Sequence, residues 1–199
     1  MTAICGGLKM DLWLSQQIKQ IKKGNHEAFG EIIEQYQGQI YQHCYRMLGN
    51  HHDAQELTQE AFLKAYSNIH TFKRDRQFAP WLYRIASNLC IDYLRKKKPL
   101  TILDQEIKGT EDITLTDQVE SSFDSPEEAY EQLEEKQTIE DFLLTLPPKY
   151  RSVIVLKYIQ DFSLQEIADV LDLPIGTVKT HLYRGREALR KSIRKMTRS

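Results

Sequence analysis

The stretch from Ser163 to Arg186 leaves this chain few ways to fold. Ser163 and Glu166 read as a capping box, in which the hydroxyl accepts from the third helical N–H and the carboxylate reaches back. Ile167, Val170 and Leu171 follow at helical spacing, so a short helix buries one face. Asp172-Leu173-Pro174 stops it, because proline lacks an N–H and turns the preceding residue away from helix. A longer helix follows, with Ile175, Val178, Leu182, Leu189 and Ile193 on one stripe. Thr177, Lys179, Thr180, Tyr183, Arg184 and Lys191 occupy its other face. Two helices joined by a tight turn, the second basic outside, form a helix-turn-helix, whose second helix suits a DNA major groove. The plainer alternative is a helical hairpin with a solvated basic face, and the rest of the chain weighs against it.

The net charge of −1 hides a strong division along the 199 residues. Lys73 to Lys98 holds eight basic residues against Asp75 and Asp92, and Ile175 to Ser199 holds eight against Glu187. Between them, Pro99 to Glu135 carries twelve acidic residues and only Lys108. Two basic stretches flanking an acidic one imply two contacts with a polyanion. The three cysteines, Cys5, Cys44 and Cys90, are far apart and lack metal-ligand spacing. They read as reduced thiols in a cytoplasmic protein, with Cys44 and Cys90 packed in a core. No apolar run approaches the roughly 18 residues that span a bilayer, and no signal-peptide pattern opens the chain.

In chain order, residues 1–9 show no periodicity and contain Gly6-Gly7, so order is expected to begin at Met10, and the start of translation is left open between Met1 and Met10. Leu12, Leu14, Ile18 and Ile21 mark a short helix, closed by Gly24-Asn25, which also caps the next. His26 to Leu48 keeps helical spacing through Phe29, Ile32, Ile33, Tyr36, Ile40 and Cys44, as one helix or two broken near Gly38. Gly49-Asn50 ends it with residues that tolerate a left-handed backbone. Asp53 and Glu56 are read as a second capping box, opening a helix through Ala54, Leu57, Ala61, Phe62, Ala65 and Ile69. His51, His52 and Asp53 adjoin at a helix start, a poor arrangement for one metal ion.

A polar loop containing Phe72 leads to a helix with Phe78, Leu82, Ile85 and Leu89, flanked by Trp81 and Tyr83 and ending in Arg95, Lys96, Lys97 and Lys98. Aromatic residues interleaved with basic ones can stack on unpaired bases and neutralise phosphates, although Phe78 and Trp81 also suit a core. Residues 99–125 read as a flexible acidic linker. Ser125-Pro126-Glu127-Glu128 then restarts helix with serine as cap and proline at the first helical position. That helix is expected to reach Leu146, with Ile139 inward. Pro147-Pro148 precedes another with Tyr150, Val153, Ile154, Leu156 and Tyr158. Nothing demands a strand. The fold class is all-α, two small helical domains on a flexible acidic linker, the C-terminal one holding the helix-turn-helix.

Four motifs in order, Tyr45 to Asn50, Asp53 to Phe62, Trp81 to Asn88, and Leu146-Pro147 leading to Gly176-Thr177-Val178-Lys179, resemble those of a bacterial family. The chain is similar to the extracytoplasmic-function (ECF) sigma factors of the sigma-70 family, most of all to the sigma-W type of bacilli. The resemblance spans about Asn25 to Lys98 and Pro126 to Ile193. It implies a divided chain: an N-terminal extension and short helix (1–24), sigma domain two (25–98), the linker (99–125) and sigma domain four (126–199). Its partners would be core RNA polymerase, promoter DNA and an anti-sigma factor, membrane-anchored, that holds it inactive in an envelope-stress response. Asp53, Glu56, Gln59 and Glu60 match the polymerase-docking face, although as bare residues they suit a solvated one.

The resemblance further assigns minus-ten DNA to Phe72, Trp81, Tyr83, Arg84, Asn88, Arg95, Lys96 and Lys97. Phe72 and Asn88 match a pocket that holds one base taken out of the stack. Trp81 supports the helix from below, and the basic residues contact phosphates, which position without specifying. Thr177, Lys179, Thr180, His181, Tyr183, Arg184 and Arg186 match the minus-35 face, where lysine or arginine donates to guanine and a threonine methyl packs on thymine. His181 is the weakest of these, and Arg186 is assigned to phosphate.

An enzyme is disfavoured: the chain lacks a phosphate-binding glycine loop, a His-Glu-x-x-His and a nucleophile elbow. No cofactor, metal or small-molecule substrate is expected. The competing reading is a helix-turn-helix regulator that binds duplex DNA without polymerase, which leaves the aromatic-basic helix and the Gln59-Glu60 face unused.

Overall fold

The computed structural model describes residues 3–72, 77–97 and 139–196, with side chains from Leu12 to Arg194. Its elements are α1 (Ala3–Lys22), α2 (Glu27–Leu48), α3 (His51–Asn68), a 3-10 turn (Ile69–Thr71) and α4 (Phe78–Lys97). They continue with a helical stretch over residues 139–145 (α5), then α6 (Pro148–Tyr158), α7 (Leu164–Leu171) and α8 (Ile175–Met196). The described residues contain no strand. The acidic linker, the Ser125-Pro126 cap and Lys98 lie outside the described residues.

Most helix boundaries follow the local chemistry, and two do not. Gly49 ends α2 at φ 69°, its N–H bonded to the Tyr45 carbonyl, and a Cβ there would run into the Leu144 side chain. The helix α2 is unbroken, and Gly38 faces open space. The expected start of order at Met10 is corrected, because helix α1 begins at Ala3 and runs through Gly6-Gly7. Glycine costs about 1 kcal/mol in a helix, but Leu14, Ile18 and Ile21 are buried and extending a formed helix is easy. The Asp53–Glu56 capping box is also corrected. Asn50 is the cap, its side chain accepting from the Asp53 N–H at 2.9 Å, and Asp53 falls in the first turn.

The helix-turn-helix forms as its sequence reads. Both halves of the Ser163–Glu166 box are present, and Asp172 makes the turn at φ 56°. Ile167, Val170, Val178 and Leu182 are buried between its helices, whereas Ile175 and Ile193 are exposed, as are Ile139 and Tyr158.

α6 organises the packing. Every residue from Tyr150 to Leu156 is buried, because α2 and α4 cover one side and α8 the other. A helix enclosed on all sides sits inside a protein even where, as here, two of its buried residues, Arg151 and Ser152, are polar. The N-terminal helices and the helix-turn-helix therefore share one continuous core. Arg151 fastens it. Its guanidinium donates to the carbonyls of Met47 at the end of α2, and of Leu144 at 2.8 Å and Leu146 at 2.9 Å. With no carboxylate among these partners, burial pulls its pKa down to about 10.

Candidate nucleic-acid interface

Helix α4 starts where an aromatic cluster fixes it. Phe72, at the end of the 3-10 turn, packs edge-on to Phe78 at 5.5 Å and against Trp81 at 5.1 Å. Pro80 falls in the first turn, where a missing N–H costs nothing. Beside the cluster opens a cavity of about 410 Å3 lined by Asn68, Thr71, Phe72, Trp81, Arg84, Ile85 and Asn88. That volume lies within the range of small-ligand pockets, roughly 300–1,000 Å3. Its walls pair an apolar surface with two amides. Asn68 donates to the Lys64 carbonyl at 2.8 Å, and the Thr71 hydroxyl to the Asn68 carbonyl at 2.7 Å. Asn88 is exposed, so its amide can meet a base edge.

The rest of the α4 face meets α7 and the turns beside it. Arg84 donates to the Asp169 carbonyl at 3.2 Å and pairs with Asp172 at 3.3 Å. Between Trp81, Arg84 and these residues lies a wider groove of about 840 Å3, edged by Leu173 and Pro174. Tyr83 requires a correction: it is 2% exposed, packs edge-on to Phe162 at 5.1 Å, and donates to Gln160 at 2.6 Å. Burial pushes its phenol pKa up, and in this arrangement DNA cannot reach it. It serves the joint between the helix groups. At the far end of α4, Arg95 pairs with Asp92 at 3.0 Å and Lys96 is exposed. Lys97 bonds to Asp53 and to the Tyr93 hydroxyl, each at 3.0 Å.

That last contact joins two predicted surfaces. The hydrogen bond from Lys97, then that from Tyr93, holds the Asp53 carboxyl below its ordinary range. Glu56 and Gln59 stand exposed farther along α3, and Glu60 pairs with Lys64 at 3.0 Å. His51 stacks on Tyr45 at 4.3 Å and bonds to the Tyr41 hydroxyl at 2.7 Å. Among the described residues no three ligand side chains gather for a metal.

On α8, Lys179 and Thr180 are exposed near the N-terminal end, and Thr177, Tyr183, Arg184 and Arg186 are half-buried. Arg184 reaches back to the Tyr150 hydroxyl at 3.5 Å. Gly185 lets α8 approach α6 closely, since a Cβ there would stand 2.9 Å from Ile154. His181 is half-buried. Its ring turns inward, edge-on to Tyr150 at 5.3 Å with Nδ1 buried, and desolvation, with Lys149 and Arg184 nearby, lowers its pKa. It packs α8 on α6.

The sequence did not reveal Asn68, Thr71, Gln160 or Asp172 as neighbours of the α4 face. Asn68 and Thr71 sit at a helix end, where polar residues are ordinary, and the other two meet α4 only through long-range packing.

The described residues thus carry an aromatic-amide cavity on α4 and a helix-turn-helix ending in α8. The family model for sigma-70 region 2 matches residues 32–99, and that for sigma-70 region 4 matches residues 136–189. The chain is 52% identical to the ECF RNA polymerase sigma factor SigW of Bacillus subtilis over 185 residues, 93% of this chain and 99% of that one. It is 30% identical to the RNA polymerase sigma-H factor of Pseudomonas aeruginosa, over 92% of this chain and 95% of that one. Its fold is shared with CnrH, solved with the cytosolic domain of CnrY, at a TM-score of 0.64 and 23% identity, covering 93% of this chain and 97% of that one. RpoE of Bartonella quintana, solved with the anti-sigma factor NepR, gives a TM-score of 0.60 at 20% identity over 83% of this chain and 96% of that one. The chain belongs to the ECF sigma factors of the sigma-70 family.

Proposed function

We propose that this sigma factor brings core RNA polymerase to its promoters by reading them in two forms, duplex at minus-35 and unpaired at minus-ten. The observation that carries this division is the cavity of about 410 Å3 walled by Phe72, Trp81 and Asn88. It suits one base removed from the stack, whereas α8 offers a polar convex face that suits a major groove. Lys179, Thr177, Thr180, Tyr183 and Arg184 are assigned to the duplex, and Arg186 to its phosphates. Phe72, Trp81 and Asn88 are assigned to the captured base, and Arg84, Arg95, Lys96 and Lys97 to single-strand phosphates. Glu56, Gln59 and Glu60 are assigned to polymerase docking, with Asp53 fixing the start of that helix.

Residues 25–98 and 126–199 form the proposed domains two and four, preceded by an extension over residues 1–24 and joined through residues 99–125. No helix among the described residues is long and apolar enough to cross a membrane. The cytoplasm, where polymerase and promoter are, is the proposed site of action. Bond-making in RNA synthesis is left to the polymerase, and the chain contributes recognition and strand separation. An anti-sigma factor anchored in the membrane, acting in an envelope-stress response, is the proposed restraint.

The test is reconstitution. The purified chain with core polymerase should start transcription at its own promoters, and the chain without polymerase should not hold duplex promoter DNA specifically. Gln59→Ala with Glu60→Arg should lose the core enzyme in a pull-down while keeping helical content. Capture at wild-type affinity by that double variant would overturn the docking assignment.

A further inference from the structure

Lys22 is the last residue of α1 and lies before residue 32, where the region 2 match begins. Its ammonium donates to the Phe72 carbonyl at 2.9 Å, across fifty residues of sequence. Helix α1 is well placed to make that contact stiff. Leu14, Ile18 and Ile21 are buried, α1 packs on both α2 and the 3-10 turn, and Gln17 donates to Glu31 at 2.7 Å. Gly24, at φ 95°, turns the chain two residues after Lys22.

The other end of the contact matters more. Phe72 forms the apolar wall of the base-sized cavity, and its ring is wedged between Phe78 and Trp81. Among the described residues, its backbone is held from within by the bond from its N–H to the Ile69 carbonyl at 3.2 Å. A 3-10 turn of three residues has poor hydrogen-bond geometry, so it fixes the direction of the following peptide weakly. A charge-assisted bond to that peptide from a docked helix fixes it well.

We propose that Lys22 is a positioning residue for base capture: by holding the Phe72 carbonyl, it sets the wall of the minus-ten cavity from outside the matched domain. The proposal rests on the reading of that cavity as a single-base pocket. Lys22 touches no DNA and acts through Phe72. Its loss should loosen the pocket while leaving the folded core, polymerase docking and α8 intact.

The experiment uses the chain assembled with core polymerase and a fluorescent single-stranded minus-ten oligonucleotide, titrated at several salt concentrations. Lys22→Met keeps the aliphatic stem and removes the donor. It should weaken oligonucleotide binding by about three- to tenfold, the worth of one hydrogen bond. It should also flatten the preference among bases at the captured position, while Lys22→Arg restores both. Affinity for minus-35 duplex should not change. The salt slope should also stay, because a lost phosphate contact would reduce it by about 0.7. Asn88→Ala tests the underlying reading in parallel. If Asn88→Ala weakens binding and Lys22→Met does not, the proposal is overturned and the pocket stands. If both are silent, the pocket reading fails and the proposal with it. A loss that Lys22→Arg leaves uncorrected, or a reduced salt slope, would also overturn it.

Discussion

The two surfaces proposed to read DNA are held very differently in this structure. On α8, Lys179 and Thr180 face solvent near the start of the helix. On α4, Tyr83 is buried under Phe162, and Arg84 is paired with Asp172 and the Asp169 carbonyl from the helix-turn-helix. One surface is presented and the other is partly covered by its neighbour. The energies of the covering contacts are unequal. Arg84 and Asp172 are 37% and 80% exposed, so their pair contributes about 0–1 kcal/mol. Arg151 is 6% exposed and satisfies carbonyls from both sides of the joint. The visible ion pair decorates the contact, and the buried guanidinium holds it.

The largest effect is accordingly expected at Arg151. Arg151→Met removes three donations to carbonyls, two of them fully buried, and should cost about 3 kcal/mol or more. Urea unfolding should then split, with the helix-turn-helix lost separately from α2 to α4. A single cooperative transition at the wild-type midpoint would show that the joint does not depend on this residue.

Next comes the presented surface. Lys179→Ala should weaken holoenzyme binding to minus-35 duplex by about 1–3 kcal/mol and relax preference at the contacted bases. Arg184→Ala should cost less, because the guanidinium already reaches the Tyr150 hydroxyl at 3.5 Å. Electrophoretic titration against point-substituted minus-35 sites ranks the two, and the reverse order would relocate the reading centre along α8.

The third expectation separates the surfaces by acid. His43, on α2 under the α4 face, bonds to Ser87 at 2.9 Å. Desolvation, then the nearby Arg46 charge, lowers its pKa from 6.5 to about 3. Between those values the unfolded chain takes up a proton that the folded chain refuses, so stability falls as pH drops below 6.5. By pH 5 the loss should reach about 2 kcal/mol. It should appear in urea midpoints of the wild type and vanish from the pH slope of His43→Gln. An equal slope in that variant would place the acid sensitivity elsewhere.

The smallest effect should come from Asp172→Asn, which keeps a residue tolerant of φ 56° and removes the charge facing Arg84. Stability should move by no more than about 1 kcal/mol. Binding of a single-stranded minus-ten oligonucleotide should nevertheless strengthen, since Arg84 is released. Unchanged affinity in a titration of the full chain would mean that Arg84 does not serve that strand.

The parts of this molecule that were legible in its sequence are local ones. The Ser163–Glu166 box, the Gly49 stop, the spacing of Val178 and Leu182, and the core positions of Cys44 and Cys90 depend on residues within a turn or two, or on simple apolarity. Phe72, Trp81 and Asn88 came from motif resemblance, and the structure brings all three to one cavity. What the sequence hid depends on distance along the chain. Tyr83 meets Gln160 across 77 residues, Arg84 meets Asp169 across 85, and Arg151 meets Met47 across 104. Such contacts leave no period to read. Tyr83 looked like an exposed aromatic beside basic residues, and nothing in its own helix marked Arg151 as enclosed by α2, α4 and α8. Lys22 was hidden for the same reason, as one basic residue in a helix end rich in them.

The central claim is that unpaired and duplex DNA are read by different surfaces. It is tested most directly by titrating holoenzyme with two probes, a single-stranded minus-ten oligonucleotide and a minus-35 duplex. Asn88→Ala should weaken the first by about tenfold and leave the second unchanged, and Lys179→Ala should do the opposite. If either substitution weakened both probes alike, or if Asn88→Ala left the single strand bound as tightly as before, the division between the α4 cavity and the α8 face would be wrong.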